Sequence, residues 1–127
     1  EVEQMLDGYE QVVESVVYGV EIPGTNGRAG MAELRLNVAP DQLDCKGLCA
    51  HLRTELPPYA IPVFLRITDH GMETTGTFKH QKNKLKEQKY DLNQVSDPVY
   101  VLLPGEDCYQ RLTPEIQNGI DGGQYRF

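Results

Sequence analysis

The chain has 127 residues, 39% of them apolar and none of them tryptophan, and this length and composition suit one domain with a hydrophobic core. Its 12 basic and 19 acidic residues give a net charge of −7. A net acidic chain argues against general nucleic-acid binding, which favours a broad basic face, so we expect no nucleic-acid partner.

A hairpin of two strands is predicted in the first third of the chain. A short helix is expected at residues 2–8, before a valine-rich segment at 11–22 whose β-branched side chains favour a strand. After a turn cluster at 23–27, Ala32, Leu34 and Leu36 alternate with polar residues. That alternation predicts a second strand at 30–38 with one buried face.

An amphipathic helix is predicted at 41–56, with Asp41 as its candidate N-cap and two prolines directly after it. Its apolar stripe consists of Cys45, Leu48, Cys49, Leu52 and Leu56. The two cysteines on this stripe are therefore expected in the core rather than in a metal site. Gly47 weakens the helix, and we expect another backbone to approach closely there.

The second half of the chain predicts a third strand at 62–68, a helix at 79–89, and a hairpin of 98–103 with 108–112. Thr113 is expected to cap a last short helix that begins at Pro114. This order of elements favours an α+β fold. We predict a small three-stranded mixed sheet flanked by helices, with an added C-terminal hairpin and short helix packed on it.

Cysteine usage and hydropathy narrow the setting of the protein. Three cysteines are an odd count at low density, which indicates no disulfide framework and favours a reducing, intracellular compartment. No apolar run approaches the ~20 residues that a membrane-spanning helix needs. The chain begins with Glu1 rather than with a methionine, so we expect a piece of a longer protein.

One basic segment stands out from the acidic chain. Residues 79–89 hold five lysines and one glutamate, a local charge of +4 that leaves −11 on the other residues. Gly76 and the threonines before Lys79 favour a loop that presents this lysine outward to an anion held elsewhere. Two alternatives remain: a solvated linker, which composition alone favours, and a non-catalytic interaction module that docks an acidic or lipid surface.

Glycine-rich motifs of nucleotide-binding loops are absent in their required form. Gly71 and Gly76 have the spacing of a phosphate loop, but Thr77 stands where its lysine must be. The glycines at 24–30 lie between two strands, whereas a dinucleotide fingerprint lies between a strand and a helix. Arg28 in this turn is either a phosphate contact or an ordinary exposed arginine.

Five segments together resemble the C-terminal domain of the fatty acid transport proteins, also called very-long-chain acyl-CoA synthetases. They are YGVEIPG at 18–24, GRAGMA at 27–32, LPPYAIP at 56–62, TGTFK at 75–79 and DPVY at 97–100. The resemblance covers nearly the whole chain, with 1–91 as the domain core and 92–127 as a family-type C-terminal extension. The whole chain, 1–127, is then the lid domain of an adenylate-forming enzyme.

The resemblance implies a role for the loop before the basic segment. In the wider superfamily a lysine near the C-terminus ends a T-x-[ST]-G-K pattern and serves the adenylation step. The residues here keep the threonine-to-lysine spacing, with Phe78 in place of the usual glycine. Lys79 is thereby assigned the catalytic role, and Thr75, Gly76 and Thr77 form the loop nearest the nucleotide.

The resemblance also implies substrates and partners. The expected reaction converts fatty acid, ATP and coenzyme A into acyl-CoA, AMP and pyrophosphate, with Mg²⁺ accompanying ATP. An N-terminal AMP-binding domain of the same chain is expected to hold these substrates, so the isolated fragment should be inactive and carry no cofactor or metal. Arg28 is a possible phosphate or coenzyme A contact. The full-length protein is expected at the endoplasmic reticulum, the plasma membrane or the peroxisome.

Overall fold

A computed structural model describes residues 2–23, 28–68, 78–125 and 127, and for 78–82 it describes the backbone alone. The elements in chain order are α1 (Val2–Asp7), β1 (Val12–Glu21), β2 (Arg28–Leu36), α2 (Cys45–Glu55), β3 (Phe64–Thr68), α3 (Phe78–Gln88), β4 (Val99–Val101), β5 (Gln110–Arg111) and α4 (Pro114–Asp121). Short 3₁₀ turns at Pro40–Gln42 and Pro58–Ala60 precede α2 and β3. The α+β prediction is confirmed.

The strands form one mixed sheet in the order β1-β2-β3-β4-β5. β1 and β2 pair antiparallel as the predicted hairpin, and β3 joins β2 in parallel after the α2 crossover. β4 pairs antiparallel with β3, and β5 with β4. The C-terminal hairpin therefore extends the predicted three strands to five instead of packing on their face, because its backbone groups complete the open edge of β3.

Both faces of the sheet are buried, which corrects the prediction of one buried face for β2. Ala32 and Leu34 pack on the side that α2 covers, as the alternation predicted. Met31 lies on the other side, in a second core beneath α3 and α4. Glu33 also faces that side and is only 5% exposed. The alternation marks polar positions, and tertiary packing decided that some of them are covered.

The N-cap of α2 is Asp44, not Asp41 as predicted. The Asp44 carboxylate accepts a hydrogen bond from the backbone N–H of Gly47 at 2.9 Å, whereas Asp41 lies inside the preceding 3₁₀ turn. The close approach at Gly47 comes from side chains rather than from another backbone. A Cβ there would lie 2.2 Å from Asp44 Oδ2 and 2.7 Å from the Tyr9 hydroxyl. Glycine is therefore needed for the cap.

The last helix begins as predicted. Thr113 caps α4 by accepting a hydrogen bond from the backbone N–H of Ile116, and Pro114 occupies the first turn. Ile120 buries the inner face of α4 in the core beneath α3. The residues after α3 are thus tied to the same core as the strands that precede it.

Candidate functional site

The main site residues that the sequence predicts lie at and just before the start of α3. Lys79 lies in the first turn of that helix, as its backbone shows, and its side chain is outside the described part of the structure. Thr75, Gly76 and Thr77 fall between the described residues 68 and 78. The predicted exposure of the Lys79 ammonium therefore stays a prediction.

The C-terminal half of α3 is held firmly against the sheet. Leu85 is buried in the core, and Tyr90, just after the helix, stacks on Phe64 of β3 with ring centroids 4.3 Å apart. Lys89 ends the helix with a left-handed φ of 37°, while its backbone N–H still bonds to the Leu85 carbonyl at 2.8 Å. The helix that carries Lys79 therefore lies against β1, and Tyr90 just after it is packed on β3.

A buried charged group lies where α3 meets the sheet. The Arg66 guanidinium of β3 donates through Nε to Asp97 at 2.9 Å and through an Nη to the Gln88 side chain at 2.7 Å. It also lies 3.7 Å from the Glu33 carboxylate of β2. We call Glu33, Arg66, Gln88 and Asp97 the Arg66 network; it joins β2, β3, α3 and the segment before β4.

Tyr18 of β1 borders the Arg66 network. Burial, and then the charge of the nearby Glu33 carboxylate, raise the pKa of Tyr18 well above its usual range, while the Arg66 charge lowers it. The Tyr18 hydroxyl is buried and has no hydrogen-bond partner among the described residues. The phenol is thus kept neutral by its surroundings, next to a site where two carboxylates face one guanidinium.

Arg28, the candidate phosphate contact, is exposed at the start of β2 and borders two clefts. The first, which we call the basic cleft, has a volume of about 330 Å³ and lies between the β1–β2 hairpin and α3. It is lined by Gly19, Val20, Glu21, Arg28, Lys86, Glu87 and Lys89. Three cations against two carboxylates make it locally positive on an acidic protein, which suits a phosphate group.

The second cleft, which we call the aromatic cleft, has a volume of about 340 Å³ and begins on the other side of Arg28. It is lined by Ile22, Arg28, Ala29, Gly30, Pro58, Tyr59, Ile61, Val63 and Phe127. Tyr59 is 91% exposed and Phe127 is 44% exposed, although both are large and apolar. Exposed aromatic side chains grouped around an opening are typical of surfaces that contact a ligand or a partner.

The sequence predicted neither the Arg66 network nor the cleft that Arg28 lines together with residues of α3. Arg66 offered one signal, since it is a charged residue inside the apolar run of β3. In the sequence, Lys86 and Lys89 belong to the basic segment, and no pattern pairs them with the β1–β2 hairpin. Their common cleft depends on the angle at which α3 crosses the sheet.

The described residues offer neither a cluster of metal-ligating side chains nor a membrane-spanning helix. Among the described residues, no three histidine, cysteine or acidic side chains group as a metal site, and Cys49 is buried in the core as predicted. Within the same residues, no helix has the length and apolar character required to cross a bilayer.

Comparison with known proteins gave one family and several relatives. Residues 1–79 match the model of the AMP-binding enzyme C-terminal domain. The chain is 40% identical over 127 residues to long-chain fatty acid transport protein 3 of Mus musculus, covering 100% of this chain and 19% of that protein. It is 39% identical over 113 residues to the very long-chain fatty acid transport protein of Cochliobolus heterostrophus, covering 86% of this chain and 17% of that protein.

A solved structure shares the fold. The ATP-bound MatB from Rhodopseudomonas palustris is similar with a TM-score of 0.56 and 26% identity, over 72% of this chain and 18% of that one. The resemblance to fatty acid transport proteins is therefore confirmed. The chain spans less than a fifth of the length of each of these three proteins.

Proposed function

Because the chain belongs to the AMP-binding enzyme C-terminal domain family, we propose that it is the mobile C-terminal domain of a long- or very-long-chain fatty acyl-CoA synthetase. In the proposed reaction, the fatty acid and ATP form an acyl-adenylate with release of pyrophosphate, and coenzyme A then displaces AMP. Relatives that are named for fatty acids support this substrate class. ATP with its Mg²⁺, the acid and coenzyme A are bound mainly by an N-terminal AMP-binding domain of the same chain.

The observation that carries the proposal is the position of Lys79. It ends the TGTFK segment and stands in the first turn of α3, a helix whose other end is fixed on β3. Carboxylate attack on the α-phosphate of ATP brings two anions together and spreads charge over phosphate oxygens. A compact ammonium beside both groups lowers that cost, and this is the role we assign to Lys79. Thr75, Gly76 and Thr77 complete the loop beside the nucleotide.

Arg28 is assigned to the second step of the reaction. It stands between the basic cleft, which suits a phosphate, and the aromatic cleft, which suits a flat ring. The nucleotide end of coenzyme A carries both phosphates and an adenine ring. We therefore propose that Arg28 binds a coenzyme A phosphate when the domain turns this surface toward the large domain.

The compartment follows from the same assignment. Fatty acids and long-chain acyl-CoA products partition into membranes. We therefore place the full-length protein at the endoplasmic reticulum, the plasma membrane or the peroxisome, with this domain in the reducing environment that the free cysteines suit. The isolated chain is proposed to be inactive, because one lysine and a short loop do not enclose a triphosphate. Calorimetry that shows tight ATP binding to residues 1–127 would contradict this division of labour.

The decisive experiment separates the two half-reactions in the full-length enzyme. Lys79→Ala is expected to slow acyl-adenylate formation on the order of a hundredfold or more, since a well-placed transition-state cation is worth several kcal/mol. The same variant, supplied with presynthesised acyl-adenylate and coenzyme A, should keep most of its second-step rate. Arg28→Ala should show the reverse pattern, with a raised KM for coenzyme A.

Lys84→Ala is the matched control, because Lys84 is an exposed lysine of the same helix that lines neither cleft. We expect it to change neither half-reaction. If Lys84→Ala and Lys79→Ala reduce adenylation equally, or Lys79→Ala slows both steps alike, the lysine assignment is wrong. Equal losses would instead favour the interaction module that docks through the basic segment as a whole.

A further inference from the structure

We propose that Arg66 and Gln88 are positioning residues for the adenylation step, which fix the orientation of α3 and thereby the placement of Lys79. The inference rests on the proposed function, since it takes the catalytic role of Lys79 as its premise. It assigns to the Arg66 network a task that goes beyond holding the fold together. Neither residue is proposed to touch a substrate.

The geometry of the Arg66 network shows a guanidinium shared among four elements. The Arg66 side chain is 13% exposed, and its Nε lies 2.9 Å from Asp97 Oδ2 and 3.7 Å from Glu33 Oε2. Another of its donors, an Nη, reaches Gln88 Oε1 of α3 at 2.7 Å. A planar group with five N–H donors can hold these partners together, whereas a lysine ammonium lacks that fork.

The hydrogen bond between Arg66 and Gln88 restricts rotation and sliding of α3, which apolar packing alone does not prevent. Among the described side chains of α3, at 83–88, Leu85 is the one buried in the core, and a single leucine permits rotation about the helix axis and small sliding motions. A directed hydrogen bond between Gln88 and the ion-paired Arg66 limits both movements. The ion pairs with Asp97 and Glu33 hold the Arg66 guanidinium itself in place.

Any change in the orientation of α3 moves Lys79, because Lys79 belongs to the same helix. It lies nine positions before Gln88, about 13 Å along the axis at ~1.5 Å per residue. A small tilt at the anchored end becomes a larger displacement at the other end, and a rotation of the helix turns position 79 by the same angle. A misplacement of about 1 Å at a reacting group can cost on the order of a hundredfold in rate.

The test uses the full-length enzyme with Gln88→Met, which keeps the length of the side chain but removes the acceptor. We expect the kcat of acyl-adenylate formation to fall about tenfold with little change in the KM for ATP, and the second half-reaction to stay within about twofold. Gln88→Glu should restore adenylation, because its carboxylate accepts the same bond from Arg66. Lys84→Met, the same new side chain at an exposed position of α3, should leave both steps unchanged.

A double-mutant cycle separates positioning from general stability. In the Lys79→Ala background, Gln88→Met should cause no further loss of adenylation, since the group being positioned is already absent. A further loss there, or an equal loss in both half-reactions of the single variant, overturns the inference in favour of a structural role. Unchanged adenylation in Gln88→Met also overturns it, while the effect of Lys79→Ala stands. If Lys79→Ala has no effect on adenylation, the proposed function itself fails.

Discussion

Tyr90 joins α3, the sheet and α4. We expect its replacement to lower the free energy of unfolding, by an amount that grows as more of the side chain is removed. The side chain is fully buried, its ring stacks on Phe64 with planes 7° apart, and its hydroxyl donates to the Asp121 carboxylate at 2.7 Å. Tyr90→Phe keeps the stacked ring and removes one hydrogen bond. Because Asp121 is exposed and water can replace the lost donor, we expect a cost of about 1 kcal/mol.

Tyr90→Leu removes the ring as well. The lost aromatic pairing is worth about 0.5–1.5 kcal/mol beyond the area buried. The space left around a smaller side chain adds to this, because buried aromatic residues cost about 3–5 kcal/mol when truncated to alanine. We therefore expect Tyr90→Leu to lower the free energy of unfolding by about 3 kcal/mol in total.

The assay is urea unfolding of residues 1–127, followed by circular dichroism, with unfolding free energies extrapolated to water. Tyr59→Phe is the matched control, since the same hydroxyl is removed from a side chain that is 91% exposed. It should change the unfolding free energy by less than about 0.5 kcal/mol. If Tyr90→Phe is equally silent, the hydrogen bond to α4 contributes nothing; if Tyr90→Leu costs under about 1 kcal/mol, the stack on Phe64 is not a core contact.

Two further predictions follow from the cap of α2 and from the buried tyrosines. Asp44→Ala should lower the unfolding free energy by about 1 kcal/mol, because the hydrogen bond to the Gly47 N–H is lost. Asp41→Ala should leave the unfolding free energy nearly unchanged in the same urea assay. The reverse order of the two effects would make Asp41 the cap. Burial raises the pKa of Tyr18, Tyr90 and Tyr109 above the usual value of 10.0. As the pH rises, these tyrosines therefore ionise in the unfolded chain before they ionise in the folded one. Stability should be intact below about pH 10 and should fall as the pH rises beyond it. A urea midpoint that stays constant up to about pH 11 would count against this burial.

Local patterns in the sequence determined most of the elements. The valines of β1 and the alternation around Leu34 are properties of neighbouring residues, so the hairpin was predicted in the right place. The start of α4 is likewise encoded by two neighbouring residues, the cap Thr113 and the first helical residue Pro114. The cap of α2 was misplaced because Asp41 and Asp44 are equally good cap residues, and the sequence does not show that a 3₁₀ turn uses the first.

The position of Lys79 in the first turn of α3 also followed from the sequence, since it depends on a short motif and helix-forming composition. Only the tertiary structure decided what holds that helix. Glu33, Arg66 and Asp97 are far apart in the chain, and although Arg66 interrupts an apolar run, nothing in the sequence pairs it with the two carboxylates. Their pairing depends on the register of β2 with β3 and on the return of the chain after α3. Burial of both sheet faces was decided at the same level, because a polar position on a strand is covered only when a distant helix crosses it.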